Sequence, residues 1–261
     1  MRRIRLILEY DGSGFYGWQV QAATGERTVQ SVVEAALADI PGARPKVRAA
    51  GRTDAGVHAL AMAAHYDSDD QIPDARIARA INARLPADVR VLHAEVVAPD
   101  FEAQYHCRYR RYLYRLRLIR DDPSGTALDR NRVLHLSQRL DVPAMQRAAS
   151  AFVGRHDFAA LATQETRSTE REVYRCHFTQ HGHDLTLEIV ADGFLRNMVR
   201  AVVGTLLWVG EGRRRPDDIA TLLASRDRRL AGPNVPPHGL YFAEAGYAPW
   251  PEVVSGQKST S

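Results

Sequence analysis

One acidic residue lies where a carboxylate could do chemistry: Asp54, within the segment GRTDAGVH at residues 51–58. Short apolar runs flank this segment, and its glycines allow a strained turn that points the Asp54 side chain outward. A carboxylate presented in this way can act as a nucleophile or as a general base. The alternative is a turn in which Asp54 bonds only to its own backbone. The local sequence leaves both interpretations open.

A glycine-rich aromatic segment lies upstream, at residues 10–19, with the sequence YDGSGFYGWQ. Its spacing formally matches the G-x-G-x-x-G fingerprint of dinucleotide-binding proteins. The next helix begins only near Thr28, so no helix N-terminus would meet a pyrophosphate, and we reject that interpretation. Phe15 and Trp18, with Arg27 close by, favour an exposed loop that stacks on nucleic-acid bases. A hairpin tip buried by its own aromatic rings is the alternative.

Polar residues also interrupt the strongest helical pattern of the chain, which is predicted to begin near Phe194. Apolar residues recur at helical spacing over 195–207, whereas Arg196, Asn197 and Arg200 are polar. Arg200 follows Arg196 by four residues, which would place the two about one helical turn apart. These polar positions fit either a solvated helix face or a helix edge that lines a cleft.

The overall charge favours a polyanionic partner. The 261 residues carry a formal net charge of +4, and the pI is near 9.2. Only Lys46 and Lys258 are lysines among the 35 basic residues, so arginine dominates. A guanidinium can fork onto phosphates and stack on bases, although GC-rich codon usage would produce the same bias.

The cysteine, histidine and hydropathy patterns argue against a disulfide-stabilised, metal-binding, secreted or membrane-spanning protein. Cys107 and Cys176 form neither a disulfide framework nor a C-x-x-C metal site, which fits a reducing cytoplasm. His177, His181 and His183 lie close in sequence, but no cysteine or glutamate joins them at metal-ligand spacing, so this segment predicts a polar hairpin turn. The N-terminus lacks the apolar run of a signal peptide, and no segment approaches the roughly 18 apolar residues of a membrane span. We therefore expect a cytoplasmic protein with neither a bound metal nor a membrane segment.

Hydrophobic periodicity predicts a duplicated order of helices and strands. In the first half, the predicted strands are 4–10, 46–50, 59–66 and 89–97, and the predicted helices are capped by Thr28 and Asp74. In the second half, the predicted strands are 105–119, 171–179, 185–191 and 239–247, with helices beginning at Pro143, near Phe194 and near Asp217.

This βαββαβ order, repeated once, predicts an α+β protein made of two tandem RRM-like or ferredoxin-like halves with antiparallel sheets. The first half covers residues 1–103 and carries the Asp54 loop, and the second covers 104–248. Residues 249–261 are polar and predict a loose tail.

Six segments together resemble the tRNA pseudouridine synthase A family. They are YDGSGFYGWQ (10–19), GRTDAGVH (51–58), NARLP (82–86), RYLY (111–114), GFLRNMVR (193–200) and PHGLY (237–241). They follow the family's order and spacing across nearly the whole chain, and each coincides with the end of a predicted strand or the start of a predicted helix.

The sequence departs from the family pattern at two places. Ala61 and Met62 stand where the family usually has Gly-Gln, and Glu102, Gln104 and His106 replace its usual His, Arg and Ser. None of these positions is catalytic in the family, so the departures bear on RNA or packing contacts.

The resemblance implies a fold and an activity. The family fold is a continuous antiparallel sheet built from two RRM-like halves, with a cleft between them. The implied reaction converts uridine to pseudouridine at positions 38, 39 and 40 of the tRNA anticodon stem-loop. It implies a homodimer that needs no cofactor.

The resemblance also assigns roles to residues. It makes Asp54 the catalytic carboxylate, Arg200 the charge that keeps it ionised, and Tyr112 the ring that packs against the target base. We expect Arg52 to hold the gap that the extruded uracil leaves. The remaining expected substrate contacts are Gly51, Thr53, Phe15, Trp18 and Asn197.

Two other classes of protein compete with this interpretation. A non-catalytic RNA-binding protein with RRM-like modules predicts aromatic RNP motifs on central strands, and the sequence has none. An oxidoreductase with a nucleotide cofactor requires a parallel βαβ arrangement, which the order of elements does not give.

Overall fold

A computed structural model describes residues 1–21, 25–163 and 168–250. Within these ranges the chain forms ten β-strands and five α-helices, and all ten strands belong to one sheet. The protein is therefore a mixed α+β structure with a large, mostly antiparallel sheet, as the sequence predicts. Of the predicted tail, residues 251–261 lie outside the described ranges.

The first part of the chain has the predicted βαββαβ order. Its strands are β1 (Arg2–Tyr10), β2 (Ala43–Ala49), β3 (His58–Ser68) and β4 (Val89–Val97), and its helices are α1 (Val29–Ala38) and α2 (Asp74–Asn82). The alternation in β1 buries Ile4, Leu6 and Leu8 completely. Thr28 closes a capping box with Ser31 at the start of α1.

The second part contains the remaining elements. Its strands are β5 (Tyr109–Leu118), β6 (Leu134–Leu136), β7 (Gly154–Asp157), β8 (Glu170–His181), β9 (Asp184–Ala191) and β10 (Leu240–Gly246). Its helices are α3 (Val142–Ser150), α4 (Met198–Gly210) and α5 (Asp218–Ser225). Short 3₁₀ turns occupy Gly12–Gly14, Ala159–Leu161, Arg228–Leu230 and Pro237–Gly239.

The order of strands brings distant parts of the chain together. The order is β4-β1-β3-β10-β5-β9-β8-β7, with β2 also paired to β3 and β6 to β5. Among the described strands, only the β3–β10 and β5–β6 pairs are parallel. The β3–β10 pair is short, matching Tyr241 with His58 and Phe242 with Ala59. It therefore joins the two parts of the sheet, with β10 between β3 and β5.

Several predicted boundaries are wrong. Helix α4 begins at Met198 and not near Phe194, because Asn197 has a left-handed backbone (φ 62°) that a helix cannot continue through. Arg196 therefore lies before the helix, and the predicted helical spacing of Arg196 and Arg200 does not hold. Strand β5 begins at Tyr109 rather than near residue 105.

Two further differences have local causes. Asp74 is the first residue of α2 and not its cap, a position that Pro73 occupies. The short strands β6 and β7 were not predicted, because three or four residues carry too little periodicity to recognise. Within the described ranges, no helix is long and apolar enough to cross a membrane.

A close backbone approach fixes α4 to the segment before β10. A Cβ added at Gly204 would lie 1.9 Å from the carbonyl oxygen of Pro233. The Thr205 hydroxyl donates to the Ala201 carbonyl and accepts from the backbone N–H of Gly232 at 2.9 Å. The 231–235 segment that packs here also holds the side chain of Arg200, so this contact supports the candidate site.

We expect Gly204→Ala to lower stability, although glycine-to-alanine changes usually stabilise a helix by about 1 kcal/mol. The added methyl group would displace backbone rather than a flexible side chain, so the net loss should be about 2 kcal/mol, or roughly 5 °C in Tm. Thermal unfolding followed by circular dichroism measures it.

Gly210→Ala on the same helix is the control. Its Cβ would meet the side chains of Met145 and Leu140, which can move, so its Tm should fall less. A Gly204→Ala protein as stable as the wild type would show that the two segments can separate without cost.

Candidate active site

An open cleft with a volume of 1270 Å³ lies where the two parts of the sheet meet. Its walls come from the Asp54 loop, from β5 and from the segment that leads into α4. The residues lining it include five arginines: Arg52, Arg110, Arg171, Arg196 and Arg200. A cleft with this lining suits a large anionic ligand.

Backbone contacts hold the Asp54 loop in place. The N–H of Trp18 donates to the Thr53 carbonyl at 3.0 Å, and the N–H of Gly56 donates to the Phe15 carbonyl at 3.2 Å. The Tyr10 hydroxyl lies 2.8 Å from the Thr53 hydroxyl in the interior. The glycine-rich segment at 10–19 therefore acts as a support for the Asp54 loop.

The aromatic residues of that segment differ from the prediction of an exposed stacking loop. Phe15 and Trp18 are only 4% and 3% exposed and do not line the cleft, whereas Tyr16 is 56% exposed and does. The alternative, a tip buried by its own aromatic rings, describes Phe15 and Trp18 correctly. The Trp18 ring packs beside Tyr10, with centroids 6.2 Å apart, and the Phe15 ring lies 4.0 Å from the Arg27 guanidinium. Large aromatic side chains gain more free energy from burial than from exposure to solvent.

The structure brings Asp54 and Arg200 together from opposite walls of the cleft. The Nη1 atom of Arg200 lies 3.5 Å from Oδ2 of Asp54, and the two side chains are 18% and 39% exposed. Arg200 is held from behind, since its Nε donates to the Val235 carbonyl at 2.7 Å and its Nη1 donates to Oδ1 of Asn197 at 3.1 Å. The guanidinium thus has a fixed orientation towards the carboxylate.

Asn197 combines an unusual backbone with a useful side chain. Its left-handed φ of 62° is rare outside glycine, and asparagine tolerates it better than most residues. Helix α4 begins at Met198, directly after this left-handed residue. The side-chain oxygen of Asn197 accepts a hydrogen bond from Arg200. Asn197 also lines the cleft.

Tyr112 lies at the base of the cleft between two other rings. Its ring meets Phe194 and Phe242 edge-on, with centroids 4.9 Å and 5.2 Å apart. Burial raises the pKa of Tyr112 well above its ordinary value, and the charge of Asp54 adds to the effect. Tyr112 is therefore a neutral phenol at physiological pH, able to pack against a planar base.

The other predicted contact residues also lie in the cleft. Gly51, Arg52 and Thr53 line it, with Arg52 exposed and Thr53 buried. Sequence reasoning missed Tyr105 and Arg110 as lining residues. Tyr105 was assigned to a strand, and its exposure is visible only in the folded chain.

Within the described ranges, no group of three or more potential metal ligands converges. His177 and His181 belong to β8, while His183 lies at the turn before β9. The predicted polar hairpin at this point is present.

The buried side chain of His58 joins the Asp54 loop to other parts of the molecule. Its Nδ1 accepts from the N–H of Gly12 at 3.0 Å, and its Nε2 lies 2.8 Å from the carbonyl oxygen of Asn131 and 3.1 Å from that of His238. A ring that accepts at Nδ1 and donates at Nε2 satisfies these partners only when it is neutral. Burial lowers the pKa of His58 below 6.5, although Asp11 nearby opposes the effect.

We expect the stability of the protein to fall as the pH drops below about 6.5, in part through His58. Because the folded-state pKa of His58 lies below the unfolded value of 6.5, the unfolded chain takes up the proton first. The stabilisation is complete above that pH and is lost as the pH falls towards the folded-state pKa. Tm measured between pH 7 and pH 5 should therefore decline less in His58→Asn than in the wild type.

The exposed His93 on β4 provides the control for this measurement. His93→Asn should follow the wild-type pH dependence. Parallel curves for His58→Asn and the wild type would mean that His58 is protonated equally in both states.

Comparison with known proteins finds a matching family and similar proteins for this chain. A family model described as tRNA pseudouridine synthase matches residues 6–110 and 148–248. A Thermus thermophilus protein named tRNA pseudouridine synthase A is 47% identical over 251 residues, covering 95% of this chain and 97% of its own length. Proteins of the same name from Rhodopseudomonas palustris and Ruminiclostridium cellulolyticum are 41% and 39% identical over 250 residues, covering 95% of this chain and 100% of their own length.

Proposed function

Because the chain belongs to the tRNA pseudouridine synthase family, we propose that it isomerises uridine to pseudouridine in tRNA, with Asp54 as the reacting carboxylate. One observation carries the assignment of the residue. Asp54 projects from a supported loop into an open cleft, where it faces Arg200 at 3.5 Å. Arg200 thus places a positive charge beside the carboxylate at the position where we propose that it reacts.

The reaction rearranges bonds without oxidation, reduction or net hydrolysis. The bond between N1 of uracil and C1′ of the ribose breaks, the base turns, and C5 forms a new bond to C1′. The proton at C5 is lost and N1 gains one, so the atoms balance. The Asp54 carboxylate acts as nucleophile towards the sugar or as base, and the chemistry requires no cofactor.

Three further residues would assist this chemistry. Arg200 stabilises charge on Asp54 through a guanidinium that is already oriented. Tyr112 packs against the target base as a neutral, rigid ring. Arg52, exposed beside Asp54, holds the gap that the extruded nucleotide leaves, a role that requires an accessible side chain.

The anticodon stem-loop, at nucleotides 38 to 40, is the proposed part of the substrate. A target uridine in a stem must be extruded from the helix at a cost of a few kcal/mol. Contacts between the protein and the phosphate backbone of the RNA must offset this cost. Arg171 and Arg196, two of the arginines that line the cleft, supply such contacts.

We also propose that the molecule consists of two RRM-like halves, 1–103 and 104–248, and that it acts as a homodimer. The strand order supports the halves. Strands β1 to β4 are contiguous on one side of the β3–β10 pair, and β5 to β10 are contiguous on the other. The cleft lies at this junction, as expected if each half contributes one wall. The dimer follows from the family resemblance.

The proposal is tested with an unmodified tRNA transcript that carries uridines at positions 38 to 40. Wild-type protein should form pseudouridine there, measured by mass spectrometry of nuclease fragments. A transcript with cytidine at the three positions is the matched control and should yield none. Binding without pseudouridine formation across several tRNAs would favour a non-catalytic RNA-binding protein.

A further inference from the structure

The side chain of Arg110, on β5, donates three hydrogen bonds to backbone carbonyl groups. Nε donates to Ala50, Nη1 to Asp192 and Nη2 to Gln104, each at 2.9 Å. The guanidinium has five N–H groups in a rigid plane, so at least three are already used within the protein. This geometry leaves Arg110 poorly suited to a bidentate contact with a phosphate.

The three carbonyl groups belong to three separate segments that line the cleft. Ala50 directly precedes Gly51 and the Asp54 loop. Asp192 directly precedes the 193–200 segment that ends in Arg200. Gln104 directly precedes Tyr105, whose ring is 80% exposed at the cleft. One side chain thus contacts the base of three of the segments that line the cleft.

We propose that Arg110 is a positioning residue that sets the separation of the Asp54 loop from the Arg200 segment. This inference rests on the proposed function. Asp54 and Arg200 come from opposite walls and have no covalent connection near the cleft, so their 3.5 Å separation depends on cross-links such as Arg110. A displacement of about 1 Å in a reacting group can cost about a hundredfold in rate.

Arginine is required for this role because of its shape. A lysine ammonium is a single point of charge and cannot reach three carbonyl groups that surround a planar fork. Arg110→Lys therefore keeps the charge and removes the cross-link. Arg111 is the natural comparison, because it is the next residue of the same strand and points to the opposite face, where it pairs with Glu188 and Glu244.

The test compares Arg110→Lys with Arg111→Lys at 20 °C, using a tRNA transcript that the wild type modifies. The single-turnover rate of Arg110→Lys should fall about a hundredfold, while its Kd for tRNA stays within threefold of the wild type. Arg111→Lys should keep the wild-type rate within twofold. Hydrogen exchange in the 50–57 and 192–197 backbone should accelerate in Arg110→Lys alone.

Each other outcome would overturn the inference. A wild-type rate in folded Arg110→Lys, with only a lower Tm, would make Arg110 a stabilising residue. An equal loss of rate in both variants would point to a general perturbation of β5 and not to the cross-link. If Arg110→Lys does not fold, Arg110→Gln is measured in its place, and failure of both to fold assigns Arg110 to the stability of the fold. If the wild-type protein forms no pseudouridine, the proposed function itself is contradicted. This result is obtained before any variant is compared, so it is distinct from a failure of the Arg110 proposal.

Discussion

Replacing Asp54 with alanine should abolish pseudouridine formation, lowering the single-turnover rate by more than about 10⁴-fold. The change removes the carboxylate that we propose to react. It leaves the loop intact, because the Asp54 backbone carbonyl, and not the side chain, accepts the hydrogen bond from Val57. The protein should therefore fold normally and bind tRNA with nearly unchanged affinity. Mass spectrometry of the tRNA and a filter-binding assay measure the two properties separately.

Asp54→Asn refines this result, because it keeps the size and shape of the side chain but cannot ionise or act as a base. It should be as inactive as Asp54→Ala. Asp217→Ala, at an exposed aspartate before α5, is the control and should retain wild-type activity. Equal pseudouridine formation by Asp54→Ala and wild type would leave the enzyme in place and remove Asp54 from its mechanism.

Replacing Arg200 with alanine should lower the rate by about 10² to 10³-fold, the usual effect of losing one oriented electrostatic group from a site. The guanidinium lies 3.5 Å from the Asp54 carboxylate and makes two hydrogen bonds that fix its direction. Its loss weakens a stabilisation that matters most in the transition state, so the rate should fall far more than the tRNA affinity. Single-turnover rates and Kd values distinguish the two effects.

The same substitution has a structural cost that must be separated from its catalytic one. It leaves the Asn197 side-chain oxygen and the Val235 carbonyl without their donor, which costs about 1–3 kcal/mol if neither is hydrated. Rates are therefore compared well below the Tm of the variant. Arg147→Ala, on the exposed face of α3, removes a charge elsewhere and should change neither rate nor affinity. An unchanged rate in Arg200→Ala would exclude Arg200 from the reaction.

The pKa of Tyr112 limits the role of that residue in the same reaction. Burial raises this pKa, so the phenol stays protonated at physiological pH. Tyr112 can therefore pack against the base or donate a hydrogen bond, but it does not compete with Asp54 as a base.

Local sequence patterns determined most of the secondary structure and the candidate carboxylate. The alternation of Ile4, Leu6 and Leu8 predicts β1 because successive side chains of a strand point to opposite faces. Thr28 predicts the start of α1 because a hydroxyl there can accept a hydrogen bond from the first turn. The segment at 51–58 made Asp54 the candidate carboxylate because it resembles a family motif. The residues of this motif are contiguous, so it can be recognised without knowledge of the fold.

Only the tertiary structure decided how these parts meet. Periodicity reports backbone geometry over a few residues, whereas the β3–β10 pair that joins the two parts of the sheet depends on contacts across most of the chain. That pairing brings Asp54 to Arg200. Other tertiary contacts bury Phe15 and Trp18 and bring three segments of the chain to Arg110. Burial and long-range hydrogen bonds are properties of the folded surface, so no local pattern of residue types could have assigned them.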